Sequence, residues 1–284
     1  MKIARAGIIV FGILLTLSAA GVPSQAAPKD PLPFNPGETL NYDVNWSIFH
    51  AGEVTATLLR DPRGASNVFV IKTTARSEGF VSILYKVQDE FRSLFNPDTR
   101  CSLGISKQIN EGRRHRSVNI AFDSVRQVAV LNERNLSKPK DPPKHGEHEI
   151  PPCVQDIVSG FYYLRSQPLR VGDKIHLAVN DGSKTTRVVA VVLDREKLQT
   201  PMGTMDALRV EPRVFGTLYK KIKGRMTIWF SDDPHHYPLR IKADLLVGSI
   251  TGTLTSIPGA PHPGSAAPAA GGVKPPEKII DSPK

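Results

Sequence analysis

The amino-acid sequence predicts an all-β protein that is mainly antiparallel and contains one or two short helices. We expect an open barrel or a strongly curved sheet with a helix packed on it. Apolar and polar residues alternate with a period of two through most of the 284-residue chain, as in strands with one buried face. About a dozen such segments fit into roughly 230 residues, and helical periodicity is scarce.

The alternation is clearest in SNVFVIKTTAR, where Phe69, Ile71 and Thr73 point to one face and the residues between them point to the other. The segment NDGS, at 180–183, provides the Asp-Gly pair of a tight hairpin, because glycine accepts a positive φ. Further strands are expected at 40–48, 53–60, 87–95, 103–110, 114–122, 125–131, 174–179, 185–193, 204–214, 223–230, 238–245 and 247–256.

One segment, PPCVQDIVSGFYYLRSQPL, has the spacing of a helix, with apolar residues three and four positions apart. Pro151 and Pro152 suit a helix start, and Pro168 lies beyond an expected end near Arg165. The pattern predicts a helix of about twelve residues that packs Phe161 and Tyr162 against the open side of the sheet. A shorter helical turn is expected at 80–85.

The two ends of the chain predict export and a disordered tail. Lys2 and Arg5 precede an apolar run of about fifteen residues, shorter than the roughly 20 of a membrane-spanning helix, and small residues follow. This is typical of a signal peptide at 1–26, so we expect a periplasmic protein that begins at Ala27 and has no transmembrane anchor. At 258–284, 11 of 27 residues are Pro or Gly, which predicts disorder. Between them we expect a single β domain at 27–257, with a long loop at 132–150.

Charge and cysteine content are consistent with this compartment. Removal of Lys2 and Arg5 lowers the formal net charge from +10 to +8. A basic exported protein is expected to meet anionic envelope material rather than nucleic acid, although the charge could also serve solubility alone. Cys101 and Cys153, the only cysteines, could form a disulfide or remain two buried thiols.

Several segments in sequence order resemble a known family. They are FNPGETLNYDVNW (34–46) with the later HAGEV, DIVSGFYYLRSQPL, TPMGTMDALRV and IWFSDDPHHYPLRIKADLLVGSITGTL. Together they resemble the bacterial exported-protein family catalogued as domain of unknown function 3108. The resemblance implies a periplasmic, mainly antiparallel β protein related in shape to open barrels. It implies no catalytic residues, and the 132–150 segment, the cysteines and the tail are not part of its pattern.

Three segments contain residue types that could perform chemistry. In SDDPHHYP, His235 and His236 are adjacent and face opposite sides of an extended chain, so the segment predicts a turn rather than a metal or acid/base site. HGEHE, at 145–149, could bind a metal loosely, but we expect a solvated loop. GSITG, at 248–252, has Ile where a hydrolase elbow needs Ser. We predict no catalytic residue, no metal and no cofactor.

Cationic residues offer a possible contact for an anion. RRHR, at 113–116, places Arg114 and Arg116 on one face of a strand, where they could bind an anionic group or simply be solvated. Arg165 could favour the helix dipole or pair with a carboxylate. Asp156, near the helix start, is expected to act as a favourable N-terminal charge.

The function predicted from these patterns is non-enzymatic binding of a lipid, acylated or glycan-bearing envelope component in an apolar groove. Phe161, Tyr162 and Trp229 are the expected apolar lining, and Arg114 and Arg116 the expected anion contact. The alternatives are an assembly factor that binds another envelope protein, such as a lipoprotein, and an enzyme of unrecognised type acting on cell-wall material.

Overall fold

The computed structural model describes residues 31–64, 67–214 and 225–258. The predicted signal peptide and all but the first residue of the predicted tail lie outside the described residues. The described residues from Leu32 onward belong to one compact unit.

Fourteen strands and two short helices make up the described part of the chain, which confirms the predicted fold class. The helices are α1 (Gly79–Leu84) and α2 (Ser159–Arg165). The strands are β1 (Thr39–Trp46), β2 (Phe49–Arg60), β3 (Phe69–Ser77), β4 (Gln88–Asn96), β5 (Cys101–Glu111), β6 (Arg114–Asp123), β7 (Val128–Asn135), β8 (Lys144–Glu149), β9 (Lys174–Asn180), β10 (Thr185–Thr200), β11 (Gly203–Val214), β12 (Met226–Ser231), β13 (Pro238–Asp244) and β14 (Ser249–Ser256).

All fourteen strands form one antiparallel sheet in the order β8-β7-β6-β5-β4-β3-β2-β1-β14-β13-β12-β11-β10-β9. Because β1 pairs with β14, the first and last strands meet in the middle of the sheet. We call β1 to β8 the N-terminal wing and β9 to β14 the C-terminal wing. The sheet is not closed, since its edge strands β8 and β9 do not pair with each other.

The segment between β8 and α2 bridges the two wings. Ser102 N, in β5, donates to Val154 O at 3.0 Å, and Gln155 N donates to Ala178 O, in β9, at 2.8 Å. The β9–β10 turn also reaches the N-terminal wing, because a Cβ placed on Gly182 would lie 2.9 Å from Ile120 Cδ1. Gly182 has a φ of 96°, so glycine satisfies both the turn and the close approach.

The predicted long loop at 132–150 is wrong, because β7 continues to Asn135 and β8 occupies Lys144–Glu149. The connecting turn covers only 136–143. β8 is an edge strand that pairs with β7 alone, and none of its side chains is buried. Such a strand is defined by backbone hydrogen bonds, so it lacks the apolar alternation by which strands are recognised in a sequence.

Helix α2 has seven residues instead of the predicted twelve. Residues 154 and 155 are extended because their backbones bond to β5 and β9. Asp156 then starts the helical turn by accepting hydrogen bonds from Val158 N at 2.8 Å and Ser159 N at 3.0 Å. This is the capping role of a side-chain oxygen at a helix start.

Cys101, at the start of β5, and Cys153, in the bridging segment, form a disulfide. The disulfide is one of the two arrangements that the sequence left open. It ties the bridging segment to the N-terminal wing next to the Ser102–Val154 hydrogen bond.

The double variant Cys101→Ser/Cys153→Ser should lose about 2–4 kcal/mol of unfolding free energy, because its unfolded chain is no longer cross-linked. Denaturant unfolding with and without a reducing agent measures the effect. The reductant should lower the midpoint of the natural protein and leave that of the variant unchanged. Equal midpoints for both proteins under oxidising conditions would contradict a stabilising disulfide.

Candidate functional site

Arg165, the last residue of α2, is buried and joins three separate parts of the chain. Its Nη1 and Nη2 donate to the two carboxylate oxygens of Glu38 at 2.6 and 2.9 Å. Its Nε and Nη2 also donate to the carbonyl oxygen of His235, each at 3.3 Å. We call Glu38, Arg165 and the His235 carbonyl the arginine clasp.

Three aromatic rings surround the guanidinium of the clasp. The ring centres of Phe34, Tyr162 and Tyr237 lie 5.0, 5.1 and 5.3 Å from Arg165 Cζ. Burial acts to lower the pKa of Arg165, but the hydrogen bonds and the negative charge of Glu38 outweigh it and raise that pKa above its usual value. The charged pair is therefore bonded bidentately and faced by aromatic π-systems, which favour a cation.

The segment SDDPHHYP is the turn between β12 and β13, as predicted. Asp233 Oδ1 accepts from His235 N at 2.8 Å, as aspartate does in turns. His236 Nδ1 donates to the carbonyl oxygen of Arg165 at 3.0 Å. The His235 ring stacks on Tyr237 with ring centres 5.1 Å apart. The two histidines therefore contact the clasp through the His235 carbonyl and the His236 ring, and the His235 ring packs on Tyr237 beside it.

The opposite side of α2 faces a cavity of about 500 Å³ against the C-terminal wing. Most of its lining is apolar. The helix side contributes Ile157, Phe161 and Leu164, and the sheet side contributes Leu177, Val188 and Ile228. Ile157 and Met226 line the cavity and are also solvent-exposed, so the cavity opens to solvent beside the helix.

Among the described residues, three charged ones line the same cavity: Asp156, Asp181 and Lys184. Asp156 is buried, and its second carboxylate oxygen accepts from Ser93 Oγ and Ser102 Oγ, both at 2.6 Å. Lys184 is exposed and has no ion-pair partner among the described residues. Within the described part of the chain, it is therefore the cation available to a molecule in the cavity.

Asp181 is occupied within its own turn, where it accepts hydrogen bonds from Ser183 and from Lys184 N. Burial acts to raise the pKa of Asp181, but these hydrogen bonds and the nearby positive charge of Lys184 outweigh it and lower that pKa. The turn therefore satisfies the hydrogen bonds of the Asp181 carboxylate, and the Lys184 ammonium group forms no ion pair with a described residue.

Of the predicted apolar lining, only Phe161 lies at the cavity. Tyr162 points away from it and packs with Phe34, Phe95 and Leu58 in the core of the N-terminal wing. Consecutive helical residues differ by about 100° in direction, so the two aromatic side chains cannot share one surface. Burial raises the pKa of the Tyr162 hydroxyl, as expected for a core residue.

Trp229, also predicted as lining, lies on the face of β12 opposite Ile228. Its Nε1 donates to the Glu196 carboxylate, and the Arg240 guanidinium lies 6.0 Å from its ring centre. Ile228, one residue earlier, lines the cavity instead. Trp229 therefore does not line this cavity, because neighbouring strand residues point to opposite faces.

The predicted anion contacts, Arg114 and Arg116, are engaged elsewhere. Arg116 Nη1 lies 2.6 Å from Glu133 Oε1, and Arg114 Nη1 lies 3.6 Å from Glu111 Oε2. Neither arginine lines the cavity. The cation at the cavity, Lys184, follows the NDGS turn, and nothing in the local sequence distinguishes it from other turn lysines.

The HGEHE segment forms part of β8 rather than a loop. His145 and His148 are three residues apart on a strand, so their side chains point to opposite faces and are poorly placed to share a metal. His145 Nδ1 bonds instead to the Asn132 side chain. Within the described ranges, no group of three or more His, Cys, Asp and Glu side chains could hold a metal ion.

Comparison with known proteins identifies the family. A family model described as a protein of unknown function, DUF3108, matches residues 41–255. The chain belongs to the DUF3108 family. No curated protein matches it significantly. Among the described residues of this DUF3108 chain, no helix has the length and apolar character needed to cross a membrane.

Solved structures are similar to this chain at low sequence identity. A β-barrel-like protein of the DUF1849 family from Brucella abortus matches with a TM-score of 0.55 at 9% identity, over 80% of this chain and 98% of that one. A protein described as exported, with a YmcC-like fold, from Bacteroides fragilis has a TM-score of 0.35 at 10% identity, over 80% and 97%. Only the first similarity exceeds a TM-score of 0.5, and it shows the fold alone.

The Arg165→Met variant should lose about 3–5 kcal/mol of unfolding free energy, because it leaves the Glu38 carboxylate, whose side chain is only 9% exposed, without its partner. Denaturant unfolding measures the change. The double variant Glu38→Leu/Arg165→Met removes both charges and should lose less than the sum of the two single variants.

Arg126→Met serves as the control, since it breaks the exposed pair with Glu147 and should cost less than about 1 kcal/mol. If Arg165→Met and Arg126→Met destabilise equally, the clasp does not hold the fold together.

Proposed function

We propose that this DUF3108 protein is an exported, non-enzymatic protein of the cell envelope. It holds the apolar part of a lipid or acylated molecule in the cavity between α2 and the C-terminal wing. The observation that carries this proposal is the cavity itself, because an open, mainly apolar space of about 500 Å³ falls within the range of small-molecule sites.

The lining favours a hydrocarbon chain over a glycan. Phe161 and Leu164 on one side and Leu177 and Val188 on the other present carbon surface. Transfer of an apolar chain from water into the space between them is favourable by roughly 25 cal/mol per Å² of apolar surface buried. A sugar would lose hydrogen bonds to water and find few partners on these walls.

Lys184 supports an anionic head group on such a molecule. Its ammonium group is exposed beside the cavity and is not neutralised by a described carboxylate within ion-pair distance. The excess of cations in the predicted exported chain points to the same class of ligand. A carboxylate or phosphate could bond to Lys184 while its chain enters the cavity.

The helix that forms one wall is fixed at both ends. The clasp holds Arg165 at its end, and Asp156 holds its start through hydrogen bonds with Val158 N, Ser159 N and the two buried serines of β4 and β5. A wall fixed in this way loses little conformational entropy when a ligand binds.

The charged groups at the cavity favour binding over catalysis. Asp156 is saturated with hydrogen bonds, and Asp181 is bonded within its own turn. Lys184 is exposed rather than desolvated, and catalysis by lysine usually requires a pKa lowered by burial.

Leu177→Trp should reduce binding of a fluorescent fatty acid at least tenfold, because the larger side chain fills the cavity. Fluorescence titration of the purified protein measures the affinity. His176→Trp is the matched control, since His176 is the preceding, exposed residue of β9 and does not line the cavity. The cavity is not the ligand site if the natural protein does not bind the fatty acid, or if the two variants bind it equally well.

Lys184→Gln should weaken binding of the same fatty acid by about two- to fivefold, as expected for one exposed ionic contact. It should leave binding of the corresponding fatty alcohol unchanged. Lys174→Gln removes another exposed lysine, at the opposite end of β9, and should leave both affinities unchanged. Equal losses for acid and alcohol would show that Lys184 does not contact the head group.

A further inference from the structure

Exposed apolar side chains concentrate at three connections between strands. Ile48 and Phe49 lie at the β1–β2 turn, Phe80 and Ile83 on α1, and Leu246 and Val247 at the β13–β14 turn. Ile48, Ile83 and Leu246 are 87%, 82% and 84% exposed. Helix α1 has no buried residue at all. We call these three turns the apolar rim.

Backbone and side-chain contacts place the three turns side by side. Ser47 N donates to Ser249 O at 2.7 Å, which joins the β1–β2 turn to the β13–β14 turn. Gly248 packs so closely that an added Cβ would lie 2.4 Å from Ser47 Oγ. On the other side, Glu78 N donates to Ala51 O at 2.8 Å and holds the start of α1 against β2. The rim is therefore one continuous surface.

Cations without an ion-pair partner lie beside the rim. Lys86, Arg113 and Arg225 are exposed and form no ion pair with a described residue. They belong to the same end of the sheet, because Gly112 N donates to Lys86 O and Asp244 N donates to Arg225 O.

The carboxylates next to the turns are already paired. Glu78 lies 3.4 Å from His50, Glu111 lies 3.6 Å from Arg114, and Asp244 lies 3.6 Å from Lys242. Farther along the strands, Glu53 stands opposite Asp43 in β1 and Arg76 in β3, and these three form no ion pair with a described residue. At the turns themselves, Lys86, Arg113 and Arg225 outnumber Glu78, the one carboxylate there that bonds only to a histidine.

We propose that the apolar rim docks on the surface of an anionic lipid bilayer. Aliphatic and aromatic side chains on protruding turns can enter the boundary between head groups and acyl chains, where aromatic residues are favoured. Lys86, Arg113 and Arg225 then contact anionic head groups, each adding a favourable electrostatic contribution.

Vesicle co-sedimentation tests this docking with the exported protein after removal of its predicted signal peptide. Vesicles of phosphatidylethanolamine and phosphatidylglycerol should bind the protein, and pure phosphatidylcholine should bind it more weakly. Ile83→Ser/Leu246→Ser should lower the partition coefficient at least tenfold. The control is Val125→Ser/Val171→Ser, which removes two apolar side chains that are 91% and 56% exposed and lie away from the rim. This control should bind like the natural protein.

A second double variant tests the electrostatic contribution to vesicle binding. Lys86→Gln/Arg113→Gln should weaken binding to the phosphatidylglycerol vesicles and abolish most of its salt dependence. Binding to phosphatidylcholine should not change.

Three outcomes would overturn the proposal. The natural protein could fail to bind the anionic vesicles, or the rim and control variants could bind equally. Light scattering could instead show a dimer that Ile83→Ser/Leu246→Ser dissociates, which would assign the rim to a second copy of the chain. The docking is independent of the cavity: Leu177→Trp should retain vesicle binding, so failure of one proposal is distinguishable from failure of the other.

Discussion

A buried guanidinium is stable only where hydrogen bonds and an opposite charge replace the water that it has lost. Arg165 meets this condition through Glu38, the His235 carbonyl and three aromatic rings. These partners come from the segment before β1, the end of α2 and the β12–β13 turn, which are far apart in the sequence. One side chain therefore connects the N-terminal wing, the helix and the C-terminal wing.

This connection determines which side chains of α2 face the clasp and which face the cavity. Tyr162 and Arg165 point towards the clasp, and Phe161 and Leu164 point towards the cavity. A seven-residue helix is too short to be stable alone, so its position depends on contacts at both ends. The clasp and the Asp156 cap supply those contacts, and they leave one face of the helix available to a ligand.

Alternation of apolar residues was sufficient to predict the all-β class and most strands, because burial on one face leaves a period of two. It failed at β8, whose side chains are not buried, and at α2, whose first predicted turns are held extended by β5 and β9. A carboxylate partner for Arg165 was one of two expectations, but Glu38 lies 127 positions away and only the folded chain identifies it. Lys184 could not be recognised because its role depends on the neighbouring cavity.

The central claim is that the fixed helix and the C-terminal wing enclose a space that an amphiphile occupies. Organic extraction and mass spectrometry of the protein without its predicted signal peptide, purified without detergent, test it most directly. We predict about one lipid or acylated molecule per chain. Recovery of a protein with no stoichiometric organic molecule, still folded and with its disulfide intact, would contradict the account.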